Sequence, residues 1–174
     1  MTNARDKLNE AKFFLEEMRR VSGMPDQFRY MLTAFLAASR SVTQIMQKEF
    51  SAKTGFSDWY RKKQKEMEDS HILKYLHRQR SITYHERPVL PYLISITGQI
   101  ANSTGMNIVL TGTGSTLDLT SGFVDMPTIQ PTTVVRYYFD DIPSKDKDVI
   151  TICREARDTL EKILDECEGE FGEI

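Results

Sequence analysis

Leu73-Lys74-Tyr75-Leu76-His77-Arg78-Gln79-Arg80-Ser81-Ile82-Thr83-Tyr84-His85-Glu86-Arg87-Pro88 carries Ile82 and an apolar run at helical spacing and ends on a proline. Proline disfavours a helical conformation in the residue before it, so a helix is predicted here that stops at Pro88. Two arginines and a histidine stand near its end. A guanidinium holds phosphate oxygens through paired donors, and an imidazole moves a proton near neutral pH. Together these are the minimum chemistry for cleaving a phosphodiester without a metal. A solvated, charged helix face explains the same residues, and composition alone favours that plainer reading.

Upstream, Leu8, Ala11, Phe14, Leu15 and Met18 recur at helical spacing and predict a first helix from about Ala4 to Val21. Ser22-Gly23-Met24-Pro25 ends it, with Gly23 as the stop and Pro25 suited to the opening turn of the next helix. That second helix runs to Phe50, with an inward stripe from Phe28 to Phe50 that reads as core. Arg29 and Arg40 lie on it within reach of a shared groove, though nothing in the sequence requires one. Thr54-Gly55-Phe56-Ser57 breaks the pattern, and Ser57 is expected to cap a third helix starting at Asp58. Either a hinge near Asp69-Ser70 separates that helix from the motif helix, with Ser70 as its cap, or the two segments are continuous.

After Pro88 the period changes. Met106–Thr111, Thr116–Thr120 and Thr132–Phe139 read as short strands, and Val89–Ile96 mixes apolar and β-branched residues with a proline. A small antiparallel sheet is expected over about 90–140. Thr111-Gly112-Thr113-Gly114-Ser115-Thr116 lacks the Gly-Lys-Ser/Thr ending of a phosphate loop and reads as a turn. A last helix is expected from about Lys145 to Cys167, its acidic end fraying. The fold class is therefore mostly α, an antiparallel bundle of four to five helices with a β insertion before the last. The chain reads as a single domain, the bundle at 4–88 and 145–168.

The 174 residues, 40% hydrophobic, suffice for one well-filled core. No apolar run reaches membrane-spanning length and no signal-peptide core opens the chain, so the cytoplasm is the default expectation. Cys153 and Cys167 lie fourteen apart on one predicted helix and should not bridge each other. Charge is unevenly spread: residues 61–87 carry a net +4 with all three histidines, and residues 140–174 a net −7. The basic stretch suits a polyanion; the acidic one opposes it unless it lies elsewhere. His71, His77, His85 and Glu86 have no metal-ligand spacing, and no metal or cofactor is expected.

The spacing between the candidate cation and base decides whether they can cooperate. At about 100° per residue, Arg78 and His85 return to one face of an unbroken helix. Arg80 and His85 sit about 140° apart and meet only if the last turn loosens or the arginine curls round.

Arg80-Ser81-Ile82-Thr83-Tyr84-His85, with four residues between Arg and His, resembles the motif of the HEPN family of small helical proteins, and Arg78 to His85 fits it with six. Phe35-Leu36-Ala37-Ala38-Ser39-Arg40-Ser41-Val42 resembles the small-residue second helix of such chains. The resemblance covers residues 1 to about 88 and the last helix. Many members carry a polar amide after the Arg, where this chain has Ser81 or Gln79; Arg80 is the first choice, with Arg78 beside it. The resemblance implies a homodimeric, metal-independent endoribonuclease or RNA-processing protein of the toxin–antitoxin or phage-defence kind. Arg80 or Arg78 would hold the scissile phosphate of an RNA, and His85 would move the proton as the 2′-hydroxyl attacks to leave a cyclic phosphate. Ser81 and Tyr84 would position the backbone, and a protein antitoxin or inhibitor would be a partner; Glu86, by its place beside His85, either orients or tunes the imidazole or is a solvated neighbour. The alternative expectation is a non-catalytic helical binding or assembly protein that engages a protein partner through its sheet or acidic tail. A small-molecule-binding bundle has no convergent polar set in the sequence to support it.

Overall fold

The computed structural model describes residues 2–85, 88–101, 105–112, 115–119, 132–140, 142 and 146–172. The fold is mostly α, an antiparallel helical bundle with a small antiparallel sheet inserted before the last helix. Five helices lie among the described residues: α1 (Asn3–Arg20), α2 (Pro25–Phe50), α3 (Phe56–Asp69), α4 (His71–His85) and α5 (Val149–Phe171). The chain divides into two compact units, residues 1–90 with 150–174, and residues 91–149.

In the helical unit, α1 buries Ala4, Leu8, Ala11, Leu15 and Met18, one stripe at three- and four-residue steps. Thr2 caps it, its hydroxyl accepting from the Arg5 N–H at 3.1 Å. The Glu49 carboxylate, from the end of α2, accepts from the Asn3 and Ala4 N–H groups at 2.7 and 3.0 Å. An anion at a helix N-terminus is favourable there, and this one ties α1 to α2. Gly23 is not the stop itself: α1 ends at Arg20 with Val21 as its cap, while Pro25 opens α2 as expected.

The third helix begins two residues before the expected Asp58. Gly55 adopts φ +84°, a left-handed conformation that glycine takes without a Cβ penalty, and the chain turns there. Phe56 then enters as the first helical residue and Ser57 lies inside the helix. The gain is aromatic burial. The Phe56 ring packs on Phe50 at 6.0 Å, Tyr60 at 5.4 Å and Phe171 at 5.5 Å between centroids. Around it lie Leu8, Val42, Met46, Leu160, Ile163, Leu164 and Cys167, drawn from α1, α2 and α5. Both cysteines are free and buried.

The acidic end of α5 does not fray by Cys167; the helix runs on to Phe171. Arg5 donates from Nη2 to Asp165 at 2.6 Å and from Nε to Glu168 at 3.1 Å, and Thr2 donates to Glu168 at 2.6 Å. Lys12 pairs with Glu161, and Lys63 with Glu166 at 2.6 Å. These cations lie on α1 and α3, so the tail's charge is answered by helices distant in sequence. Phe171 closes the end against Phe56 and Trp59.

The second unit holds a sheet in the order β3-β2-β1-β4, all neighbours antiparallel: β1 (Tyr92–Ala101), β2 (Gly105–Gly112), β3 (Ser115–Leu119) and β4 (Thr132–Tyr138). Pro91 stands just outside β1, where a missing N–H breaks no ladder. Tyr92 lies opposite Tyr138 with the rings stacked at 5.6 Å. Gly112 pairs with Ser115, so the glycine-rich stretch joins two hairpin strands; residues 113–114 themselves lie outside the described residues. Among the described residues no helix is long and apolar enough to cross a membrane.

Two outcomes test the α5 closure. Phe171→Ala should lower unfolding stability by about 3 kcal/mol in urea titrations, since it opens a buried aromatic contact; a loss under about 1 kcal/mol would mean the last turn frays after all. Burial pushes the Glu168 carboxyl up, but hydrogen bonds from Arg5 and Thr2 outweigh it and hold the group below its ordinary value. Its contribution is thus complete above the unfolded carboxylate range near ~4.3 and is lost as pH falls through the lower folded value. Thermal melts from about pH 6 to about pH 2.5 should show a shallower acid limb for Glu168→Gln than for the unaltered chain. Parallel limbs would refute the clamp.

Candidate functional site

Ser70 divides α3 from α4 in the expected place. Its N–H donates to the Glu66 and Met67 carbonyls at 3.2 and 3.3 Å, ending α3, and its hydroxyl accepts from the Leu73 N–H at 3.4 Å, opening α4. The helix then runs unbroken to His85. Tyr75, Leu76 and Gln79 are its buried positions. Leu73, His77 and Arg80 form an adjacent stripe at i, i+4 and i+7, which faces a pocket of about 500 Å³.

Four helices line that pocket with one stripe each. Leu36, Arg40, Thr43 and Gln47 come from α2, Tyr60, Gln64 and Met67 from α3, and Ala156 and Leu160 from α5. The cations Arg40, Lys74 and Arg80 enter with His77, against the single carboxylate of Glu68. Arg40 and Arg80 are half-buried, whereas His77 and Lys74 reach solvent. Arg40 Nη1 donates to the Thr43 hydroxyl at 3.4 Å, and the Tyr60 hydroxyl donates to the Thr43 carbonyl at 3.4 Å. Burial, and then the charges of Arg40 and Arg80, hold the His77 imidazole below its ordinary value. The ring is therefore mainly neutral at pH 7.

Ser39 adds a further polar group. Ser41, Thr83 and Thr159 each return their hydroxyl to the carbonyl four residues back, at 2.8 to 2.9 Å. The Ser39 hydroxyl, on the pocket wall, makes no such bond: its oxygen is shielded from solvent and has no hydrogen-bond partner. A buried polar atom left in that state calls for a specific explanation.

The structure separates the residues singled out in the sequence. Arg80 lines the pocket; Arg78, Ser81 and His85 do not, and all three are exposed. The last turn stays helical through His85, so Arg80 and His85 remain on faces about 140° apart. Arg78 and His85 share a face but stand about 10 Å apart along the axis. The Tyr84 side chain and Glu86 lie outside the described residues. Sequence reasoning missed Arg40 and His77 as a pair. The signal lay in the shared phase of Leu73, His77 and Arg80, but which helix they meet is a tertiary fact. Among the described residues, no group of three or more His, Cys, Asp or Glu side chains is arranged to hold a metal ion.

Residues 1–84 match the family model described as Bacteriophage lambda protein ea47. This overturns the HEPN resemblance: the matching family is a different one, and no HEPN family is found. The ribonuclease and toxin–antitoxin expectations rested on that resemblance and fall with it. A motif of two common residues at loose spacing carried too little information to identify a family. No curated protein matches the chain, and no solved structure does. The ea47 match takes in α1, α2, α3 and nearly all of α4, and so the α2, α3 and α4 walls of the pocket.

The electrostatics of the pocket can be read directly. In proton NMR titrations His77 should titrate below the usual ~6.5 of an exposed histidine. Arg40→Gln should move its midpoint upward, since one repelling charge is gone. An unchanged midpoint would place Arg40 too far away to share a site with His77.

Proposed function

We propose that this chain is a non-catalytic binding protein, and that its ligand is held in the pocket between α2, α3, α4 and α5. One observation carries the reading: half-buried cations, an imidazole and a buried hydroxyl converge on an apolar wall of Leu36, Leu73, Leu76 and Leu160. A pocket of about 500 Å³ with an apolar lining and a few convergent polar groups is the usual form of a small-molecule site. Binding is favoured over catalysis because the residues suited to proton transfer and to phosphate contact, His85 and Arg80, face different ways. The ion pairs of the acidic tail favour the pocket over the tail as the binding surface. Asp165, Glu166 and Glu168 are already engaged by Arg5 and Lys63, which leaves less of the tail for an outside partner.

Anilinonaphthalene sulfonate, an anion on an aromatic body, is a suitable general probe. It should bind the folded chain at one saturable site, and Ser39→Leu or Arg40→Gln should weaken binding about tenfold through lost space or a lost charged contact. Arg78→Gln and His85→Gln should leave binding unchanged, with circular dichroism confirming the fold of each variant. Binding that ignores the pocket variants, or no binding at all, would overturn the reading.

A further inference from the structure

We propose that the ligand of this pocket is an organic monocarboxylate, its two oxygens held by the Arg40 guanidinium and its apolar body lying on the Leu36, Leu73, Leu76 and Leu160 wall. The inference rests on the binding reading above and adds the chemical class. Half-buried arginines elsewhere in the helical unit are answered by acids: Arg5, Arg19, Arg29 and Arg157 each stand within ion-pair distance of a carboxylate. Arg40 is half-buried as they are, but it makes no such pair among the described residues. Its guanidinium donates to the Thr43 hydroxyl at 3.4 Å, the long end of the hydrogen-bond range. That hydroxyl donates back to the Arg40 carbonyl at 3.2 Å and brings no charge. A guanidinium carries five N–H donors and stays protonated at every pH the fold meets, so most of the bonding capacity of Arg40 is unmet by protein groups on the pocket lining.

A carboxylate is the anion that one such fork satisfies. Its two coplanar oxygens accept two parallel N–H bonds from a single guanidinium, and its one charge meets one cation. A phosphate monoester brings a third terminal oxygen and close to a second charge, which call for a second open cation. The lining does not offer one beside Arg40. Lys74 is exposed and shares the lining with the Glu68 carboxylate, Arg80 already has a partner, and His77 carries no fixed charge.

The body of the ligand is bounded as well. Leu36, Leu73, Leu76 and Leu160, from α2, α4 and α5, supply the apolar part of a lining around about 500 Å³. Acetate alone leaves that wall uncovered. A carboxylate on an aromatic or similarly compact body uses both the guanidinium and the wall, the division of labour usual in small-molecule sites.

Calorimetry with phenylacetate, phenylacetamide, acetate and phenyl phosphate tests the class. Phenylacetate should bind about tenfold or more tightly than its amide, which lacks the charge, and than acetate, which lacks the body. It should bind at least as tightly as phenyl phosphate. Arg40→Gln should abolish the preference for acid over amide while leaving the affinity for the amide within about twofold. Arg40→Lys should keep only part of that preference, because the charge stays and the fork is lost. A purely structural role for Arg40 would weaken acid and amide alike, and circular dichroism checks that each variant is folded. Equal affinity for acid and amide, tighter binding of phenyl phosphate, or a preference that survives Arg40→Gln overturns the carboxylate assignment. If anilinonaphthalene sulfonate binds at the pocket and phenylacetate does not, the ligand class fails and the binding reading stands. If neither binds, both fail.

Discussion

The helical unit depends on burying the inward stripe of α5, and the Phe56 ring is where that burial converges. Phe50, Trp59, Tyr60 and Phe171 all lie within ring-contact distance of it, from α2, α3 and the last turn of α5. Each fully buried side chain of this size contributes roughly 1.5–3 kcal/mol. The half-exposed ion pairs beside the cluster are worth about 0–1 kcal/mol each. Apolar contact therefore sets the stability. The pairs of Arg5, Lys12 and Lys63 with α5 act on register instead: their cations sit on two helices and fix which turn of α5 meets which partner.

Once α5 is seated, the site follows from the packing. Ala156 and Leu160 fill one side of the crevice between α2 and α4, with Leu36 and Leu76 on the others. The next positions on those helix faces are polar or charged, namely Arg40, Thr43, His77 and Arg80. They sit one turn from core residues, and Arg40 and Arg80 end half-buried on the pocket lining while His77 still reaches solvent. Nearby like charges disfavour a folded state unless something offsets them. Here Glu68 is the sole carboxylate among the lining residues. It offsets part of the charge that Arg40 and Lys74 bring to the same wall.

Much of the fold was readable because it rests on local rules. The stripes of α1 and α2, the proline opening α2, the serine between α3 and α4, and the β-branched runs of β2 and β4 all announce themselves within a few residues. What could not be read depends on partners far along the chain. An acidic run such as Asp165-Glu166-Cys167-Glu168-Gly169-Glu170 looks prone to fray until Arg5 and Lys63 are known to stand beside it. The start of α3 was misplaced because Gly55 and a buried Phe56 outrank Ser57 as a cap, a decision made by the aromatic cluster. The Arg80–His85 spacing was left open by the sequence for a simpler reason. It turned on whether the last turn loosens or the arginine curls round, and the helix continues to His85. The pocket was invisible because Leu36, Arg40 and Thr43 share a phase with Leu73, His77 and Arg80 only once two helices are aligned.

The charge distribution carries a last consequence. By count, residues 140–174 are strongly acidic and would oppose any anion approaching the chain. In the folded unit that opposition is much reduced, because Glu161, Asp165, Glu166 and Glu168 are held at ion-pair distance from Lys12, Arg5 and Lys63. A paired carboxylate presents a dipole to its surroundings, and a dipole's field falls off faster than that of a charge and is further screened by salt within about 8–10 Å. The same tail that closes the bundle mechanically therefore opposes an approaching anion less than its count suggests, since Arg5, Lys12 and Lys63 offset part of its net −7. Closure and charge draw on one arrangement: basic side chains of α1 and α3 pair with α5, while Arg40 of α2 and Lys74 of α4 line the crevice.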